Sequence, residues 1–268
     1  MSLNLYKFHY HLNRKCDQKL IIFLHGFMGD RNEFNSTIAL LAQDYSYLTI
    51  DLPGHGKTQV LGDNEYYNIP NTAEGIINLL DDLQIYNCYL IGYSMGGRLA
   101  LYLALYYPER FSQVVLESAS PGLVSQAERD ERIQQDGRIA RKLARISTKE
   151  EFIAFLSNWY SQGIFGNIKH HPEFEQLIVM RSHNNPQELA KSLLFMGTGC
   201  QPSLWRKLRE NQIPVLLLAG EYDKKFISIN QQMVNICSFC QLKVILNTAH
   251  NTHLENTYEF VQNIRKFI

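Results

Sequence analysis

The sequence lacks long apolar runs, a surplus of either charge and an even set of cysteines. No run approaches the roughly 18 apolar residues of a membrane span, and the N-terminal residues show no apolar signal segment. The formal net charge is zero, which gives no general attraction to nucleic acid or anionic membranes. The five cysteines are scattered and make a poor disulfide framework. We therefore expect a cytoplasmic protein that acts on a small molecule, with no nucleic-acid or membrane partner.

Motifs for metal, nucleotide and glycan attachment are missing or incomplete. Cys237 and Cys240 form a C-x-x-C, but no second ligand pair accompanies it, as a zinc site would require. No G-x-x-x-x-G-K-[ST] phosphate loop occurs. Asn35-Ser36-Thr37 matches a glycosylation sequon, which we interpret as coincidence because no secretion signal accompanies it. The sequence thus predicts neither a metal nor a cofactor.

Short apolar runs alternate with amphipathic stretches along most of the chain. Apolar runs of this length are typical of strands buried on both faces, and the alternation predicts a doubly wound α/β fold with a mostly parallel sheet. The predicted strands are Leu20–Leu24, Tyr47–Ile50, Cys88–Ile91, Val114–Glu117, Val215–Leu218 and Lys243–Leu246. The predicted helices among them are Glu33–Gln43, Thr72–Leu83, Met95–Tyr107, Ile227–Ile236 and residues 257–267.

Residues 121–212 break the alternation, because no convincing strand occurs there. This stretch predicts helices at Ser125–Arg145, Lys149–Asn158, His171–Ser182 and Pro186–Met196. A helical insertion between two parallel strands is expected to cover the carboxyl ends of the strands, where ligands bind in open α/β sheets. We expect a core of residues 1–120 and 213–268, with residues 121–212 as a helical cap.

The stretch Gly92-Tyr-Ser-Met-Gly-Gly-Arg98 joins a predicted strand to a predicted helix. Its first five residues have the G-x-S-x-G pattern of a serine nucleophile on a strained turn. Glycines suit this pattern because the helix backbone must pass close behind the serine. The stretch predicts that Ser94 is the reactive residue; an ordinary turn between strand and helix is the alternative.

The loop His25-Gly-Phe27 follows the first strong strand. In sites with the G-x-S-x-G pattern, such a loop supplies one backbone N–H of the oxyanion hole, and the residue after the serine supplies the other. These donors would be the N–H groups of Phe27 and Met95. We expect His25 itself to be structural.

Two strand ends supply candidate acids and bases. Glu221 and Asp223 follow one predicted strand, and His250 and His253 follow the last. The chain order Ser…Asp…His is that of the α/β-hydrolases. We favour Asp223 because it lies further into its loop, and His250 because it comes sooner after its strand. Glu221 and His253 remain the alternatives.

Motifs across nearly the whole chain, from about Leu20 to Asn256, resemble one family. They are HGFMGD, DLPGHG, GYSMGGR, the PGL segment with its arginine-rich helix, and the Trp and Arg of the predicted cap. The family is 2-succinyl-6-hydroxy-2,4-cyclohexadiene-1-carboxylate (SHCHC) synthase of the menaquinone or phylloquinone pathway. The G-x-S-x-G and HG motifs alone are shared by the whole superfamily, so the motifs of the predicted cap are the more specific part.

The resemblance implies a lyase that removes pyruvate from 2-succinyl-5-enolpyruvyl-6-hydroxy-3-cyclohexene-1-carboxylate. The implied catalytic residues are Ser94, Asp223 and His250, with Phe27 and Met95 as oxyanion donors. The implied substrate contacts are Tyr93, Arg98, Arg132, Trp159 and Arg181.

The three arginines suit this substrate, which carries three carboxylates, because guanidinium binds carboxylate bidentately. A helical pair of Arg132 with Glu128 is an alternative for one of them. Two other functions stay open. One is a carboxylesterase or C–C hydrolase that uses Ser94 as a nucleophile, and the other is a non-catalytic ligand receptor.

Overall fold

Apolar residues build the central strands, because helices cover both faces of the sheet. The computed structural model describes residues 5–268. Its strands are β1 (Tyr6–Lys7), β2 (Tyr10–Asn13), β3 (Leu20–Leu24), β4 (Ser46–Ile50), β5 (Gln59–Val60), β6 (Cys88–Tyr93), β7 (Phe111–Glu117), β8 (Val215–Gly220) and β9 (Cys240–Ile245). Every residue of β3 and β8 is buried, as expected for strands at the centre of a covered sheet.

Seven strands form one sheet in the order β2-β4-β3-β6-β7-β8-β9. From β4 to β9 all neighbouring strands pair in parallel, whereas β2 joins the edge antiparallel to β4. The predicted doubly wound α/β sheet is therefore confirmed. Strand β2 was not predicted, because Tyr10–Asn13 is short and shows no alternation of buried and exposed side chains. Strands β1 and β5 form a separate antiparallel pair.

Eleven α-helices occur in residues 5–268. They are α1 (Asn35–Leu41), α2 (Ile69–Asp82), α3 (Met95–Tyr106), α4 (Gln126–Arg145), α5 (Lys149–Trp159), α6 (Phe174–Arg181), α7 (Pro186–Met196), α8 (Trp205–Leu208), α9 (Lys224–Ile236), α10 (Thr252–Glu255) and α11 (Thr257–Phe267). Helix α2 begins earlier than predicted because the Asn68 side chain accepts the Asn71 N–H. Helix α9 also begins earlier, because Asp223 caps it. Helix α1 is shorter than predicted and leaves Glu33 in the preceding turn.

The stretch between β7 and β8 contains helices α4–α8 and no strand. Capping boxes begin α4 at Ser125 and α5 at Thr148, which fixes both helix starts close to the predicted positions. Met28 of the loop after β3 packs into an apolar cluster that otherwise consists mostly of residues from this stretch. The division into a core and a cap stays a prediction, and residues 1–4 of the predicted core lie outside the described residues.

Candidate functional site

Ser94 lies in the turn between β6 and α3, where the backbone is strained. Its φ of 50° and ψ of −106° place it in a region that side-chain-bearing residues rarely adopt. Gly96 permits the close approach of the helix, since an added Cβ would lie 2.2 Å from the carbonyl oxygen of Leu24. Strand, strained turn and helix occur in the order that the G-x-S-x-G pattern predicts.

Two hydrogen bonds link Ser94, His250 and Asp223. His250 Nδ1 lies 2.6 Å from Asp223 Oδ2, and His250 Nε2 lies 3.1 Å from Ser94 Oγ. Because a carboxylate can only accept, Nδ1–H donates to Asp223 and Nε2 is left to accept the serine hydroxyl proton. Asp223 is buried and also accepts the Phe226 N–H. This chain of groups can take a proton from the serine and deliver it to His250.

The two alternative residues have other partners. The Glu221 carboxylate accepts the backbone N–H of Asn247 in a surface loop. His253 is bound through Nδ1 to Glu117 and through Nε2 to Glu33. The structure therefore brings Asp223 and His250 to Ser94, and neither Glu221 nor His253.

His25 makes backbone contacts on both ring nitrogens. Its Nδ1–H donates to the carbonyl of Gly26 over 2.7 Å, and its Nε2 accepts the Leu52 N–H over 2.9 Å. Burial lowers its pKa, which favours the neutral ring that this pairing requires. These contacts fix two loops at the carboxyl ends of β3 and β4, a structural role.

Phe27 and Met95, whose N–H groups are the predicted oxyanion donors, line the same cavity as Ser94. The neighbouring Met28 N–H donates to His55 Nε2, and burial holds the pKa of His55 well below its ordinary value, so this ring is neutral. Within residues 5–268 the Phe27 N–H has no protein acceptor. Met95 is the first residue of α3, where N–H groups lack intrahelical acceptors. Both donors are thus available to an oxyanion.

A cavity of about 610 Å³ opens over Ser94. Residues of the loops after β3 and β6 and of the helices α3, α4, α5, α7 and α9 line it together. Among the residues predicted as substrate contacts, Tyr93, Arg98, Arg132 and Trp159 lie in its wall. Arg181 does not.

Arg98 is the innermost cation of this wall. It lies on α3, one turn after Ser94, and it is only 9% exposed. Its Nη1 donates to the Met196 carbonyl over 2.8 Å and to Gln201 Oε1 over 3.2 Å. Burial, with a smaller contribution from Arg132, lowers its pKa to about 10, so it stays charged at neutral pH. No carboxylate of residues 5–268 forms a salt bridge with it, and the nearby Asp136, which offsets part of the lowering of its pKa, is itself paired with Arg132.

Arg132 has a partner on its own helix. Its Nε donates to Asp136 Oδ1 over 2.8 Å, and its side chain is 33% exposed. The alternative partner Glu128 is engaged elsewhere, since its carboxylate accepts from Ser125 in the capping box of α4. Burial raises the pKa of Asp136 despite the nearby Arg132 charge. The remaining guanidinium nitrogens of Arg132 make no protein hydrogen bond among the described residues.

Arg181, which was predicted as a substrate contact, does not line the cavity. Its side chain is only 2% exposed and forms an ion pair with Glu33. Its Nε also donates to the hydroxyl of Tyr160 over 3.1 Å. This pair could not be predicted, because Glu33 lies far away in the chain and was predicted as the first residue of a helix.

A third cation in the cavity wall is Lys225, which was not predicted. It lies in the first turn of α9, and its Nζ is 5.7 Å from the centre of the Phe226 ring. Its position two residues after Asp223 was a usable signal, because the loop that carries the acid must border the site.

Residues 5–268 contain neither a candidate metal site nor a candidate membrane-spanning helix. No group of three or more His, Cys, Asp or Glu side chains in residues 5–268 could hold a metal ion. Across the same residues, no helix combines the length and apolar character needed to cross a membrane.

The strained serine turn, the order of its partners and the parallel sheet define a class of protein. A family model described as the alpha/beta hydrolase fold matches residues 19–257, most of the chain. Fold membership alone does not fix the reaction, because this fold serves many chemistries.

Individual relatives narrow the class. A Bacillus subtilis protein, named provisionally as a 2-succinyl-6-hydroxy-2,4-cyclohexadiene-1-carboxylate synthase, is 36% identical over 92% of this chain and 89% of its own. A Citrobacter koseri protein with the same synthase name is 33% identical over 92% of this chain and 93% of its own. The structure of MenH from S. aureus superposes with a TM-score of 0.87 at 34% identity, covering 99% of this chain and 98% of that one. The chain belongs to the SHCHC synthase family of the α/β-hydrolase fold.

The tight turn behind Ser94 generates a stability prediction. Gly96→Ala forces a Cβ against the Leu24 carbonyl, and overpacking of this kind costs about 1–3 kcal/mol. Gly163→Ala is the matched control, since its Cβ meets nothing within 4 Å. Urea unfolding of both variants checks the prediction. Equal stability of the two variants would show that the turn does not need glycine at position 96.

Proposed function

We propose that this protein eliminates pyruvate from 2-succinyl-5-enolpyruvyl-6-hydroxy-3-cyclohexene-1-carboxylate and releases SHCHC. This lyase reaction belongs to menaquinone or phylloquinone biosynthesis. The family supports the proposal, and one observation carries it: the buried Arg98, one turn after Ser94, has no salt-bridge partner among residues 5–268. A buried cation is costly when it is unpaired, so this site favours an anionic ligand.

The polycarboxylate substrate would be held by the three cations of the cavity wall, Arg98, Arg132 and Lys225. Arg98 has one nitrogen bound to the protein and Arg132 has one, which leaves further N–H groups of each for carboxylate oxygens. The rings of Tyr93 and Trp159 provide apolar wall around the substrate ring. Arg181 is not among the proposed contacts, since it pairs with Glu33 and does not line the cavity.

Ser94 would act as the proton acceptor. Its Oγ takes the proton from the carbon α to the succinyl ketone while His250 Nε2 takes the serine proton, a relay that the 3.1 Å contact supports. Asp223 holds the imidazole tautomer and stabilises the imidazolium that forms. A serine hydroxyl is a poor base, so this relay is what gives it the needed strength.

The ketone oxygen becomes an enolate oxygen when the proton leaves. The N–H groups of Phe27 and Met95 would donate to it, and preset donors of this kind usually supply the largest electrostatic stabilisation in such sites. The electron pair then moves into the ring, the bond to the enolpyruvyl oxygen breaks, and the leaving group recovers a proton to become pyruvate. The proposed route needs no acyl-enzyme, metal or cofactor.

A serine carboxylesterase or C–C hydrolase is the second candidate. The same bond from Ser94 to His250 would prepare the serine as a nucleophile. The two candidates differ in one intermediate, because only the hydrolase acylates Ser94 covalently during turnover. Mass spectrometry of rapidly quenched reactions distinguishes them.

Replacing Ser94 tests the proposed base. Ser94→Ala is expected to lower kcat for pyruvate release by about a thousandfold or more while substrate still binds, because loss of a relay member removes most of the catalysis. Ser36→Ala, on the exposed side of α1, is the control. Purified protein is given the enolpyruvyl substrate, and pyruvate is measured against a sample without enzyme. Near-normal kcat in Ser94→Ala would exclude the serine as base.

Replacing Arg132 tests the carboxylate contacts. Loss of a charge-assisted hydrogen bond is worth about 1.5–3 kcal/mol, so Arg132→Met should lower kcat/KM for pyruvate release about ten- to a hundredfold. Arg138→Met, an exposed position on the same helix that does not line the cavity, should have little effect. Any hydrolysis of p-nitrophenyl acetate should change far less, because this ester has no carboxylate. A parallel fall in both activities, or a matching fall in Tm, would make Arg132 structural.

A further inference from the structure

The carboxyl end of α6 holds the loop that carries the Phe27 N–H. Arg181 and Asn184 lie three residues apart at this helix end, and both bind residues of the segment 26–33. Asn184 Nδ2 donates to the Met28 carbonyl over 2.8 Å and is 6% exposed. Its Oδ1 accepts the Gly56 N–H over 2.8 Å, so one buried amide joins two core loops.

The loop needs such support because its backbone is strained. Met28 has a φ of 67°, in the left-handed region that a long side chain rarely adopts. Its N–H donates to His55 and its carbonyl accepts from Asn184, so both of its backbone polar groups are fixed. Strain of this kind persists only where the surroundings over-determine the conformation. The peptide that presents the Phe27 N–H precedes these groups, and its own carbonyl, that of Gly26, accepts from His25 Nδ1 and from the Gly29 N–H.

The partner of Arg181 belongs to a buried ion cluster, which consists of Glu33, Glu117, Arg181 and His253. All four side chains are no more than 3% exposed. His253 Nδ1 lies 2.7 Å from Glu117 Oε2, and its Nε2 lies 3.1 Å from Glu33 Oε1. Because carboxylates only accept, both ring nitrogens donate and the ring is an imidazolium. Two carboxylates therefore face two cations.

The pKa directions agree with this charge balance. Burial alone would lower the pKa of His253, but Glu117 and Glu33 outweigh it and raise the value to about 9. Burial alone would raise the pKa of Glu33, but Arg181 and His253 outweigh it and lower the value. The other titratable groups near His253 are Glu255 of α10 and Tyr93, and the rings of Phe34 and Phe260 also pack against it.

The ion cluster adjoins the proposed catalytic groups without entering the cavity. The Tyr93 ring packs against both His253 and His250. Its centre is 4.8 Å from the centre of the His253 ring and 5.5 Å from the centre of the His250 ring. None of the four charged residues of the cluster lines the cavity, whereas Tyr93 and Tyr160, which contact His253 and Arg181, both do. The charges of the ion cluster therefore balance one another and are not available to a ligand in the cavity.

We propose that Arg181 and Asn184 are positioning residues. They clamp the loop that carries the Phe27 N–H to α6, so that the docking of α6 sets the direction of this N–H. Glu33, Glu117 and His253 complete the clamp by neutralising Arg181 in a buried position. The clamp serves an oxyanion whether Ser94 acts as a base or as a nucleophile.

The test replaces one amide and uses its neighbour as control. Asn184→Ala removes the bridge to Met28 and Gly56, whereas Asn185→Ala removes only the cap of α7. Protein labelled with ¹⁵N-phenylalanine reports the Phe27 amide directly, with its signal assigned from Phe27→Leu. We expect Asn184→Ala to shift this amide signal and to speed its hydrogen exchange, and Asn185→Ala to leave both unchanged.

Kinetics of pyruvate release give a second measurement, which rests on the proposed function, whereas the amide signal does not. Asn184→Ala should lower kcat about tenfold or more with KM within about twofold, because loss of a whole oxyanion donor costs about a hundred- to a thousandfold. The clamp is overturned if the Phe27 amide of Asn184→Ala matches that of Asn185→Ala, or if the effect falls on KM alone.

Variants that remove one charge or a pair of opposite charges test the ion cluster, and their Tm values are compared. Arg181→Met and Glu33→Gln each leave one buried charge uncompensated and should each lower Tm markedly. The double variant keeps the Glu117–His253 pair neutral and should recover part of the loss. A double variant whose Tm falls by the sum of the two single effects would overturn the cluster as a charge-balanced unit.

Discussion

The buried guanidinium of Arg98, one helical turn after Ser94, has no salt-bridge partner in residues 5–268, and this is the constraint on which the proposed site depends. Arg98 is held by two neutral oxygen acceptors, which fix its direction but do not cancel its charge. The free energy cost of such a group falls when an anion enters the cavity. The fold tolerates this cost because the large apolar core around the sheet stabilises the rest of the chain.

The structure treats its two buried arginines in opposite ways. Arg181 is neutralised by Glu33 within a balanced ion cluster, and it joins α6 to the loop after β3. Among the described residues Arg98 has no salt-bridge partner, and it faces the cavity. Of two residues of the same type, one is thus paired within the protein, and under the proposed function the other is left for the ligand. A shared apolar cluster around Met28 adds to the attachment of α6.

Much of the site could be predicted because it depends on neighbours in the chain. Apolar runs predicted the strands, and the pattern around Ser94 predicted the strained turn. Asp223 and His250 were predicted from their places after strand ends, and the structure brings both to Ser94. Local rules suffice here because parallel strands deliver their carboxyl ends to one edge of the sheet.

Contacts between distant residues were not predictable in this way. The pairing of Arg181 with Glu33 depends on how α6 docks, which no local pattern encodes. For Arg132 the sequence offered acids one turn away on either side, and only the engagement of Glu128 in a capping box leaves Asp136 as the partner. The edge strand β2 was missed because its pairing with β4 comes from the sheet and its own residues show no pattern.

The most direct test of the proposed role of Arg98 is a crystal structure with the cyclohexadiene carboxylate product bound. We predict a product carboxylate within hydrogen-bond distance of the Arg98 guanidinium, with Arg181 still paired to Glu33. A bound product whose carboxylates all lie away from Arg98 would contradict the account, because the buried charge would then have no role in binding the ligand.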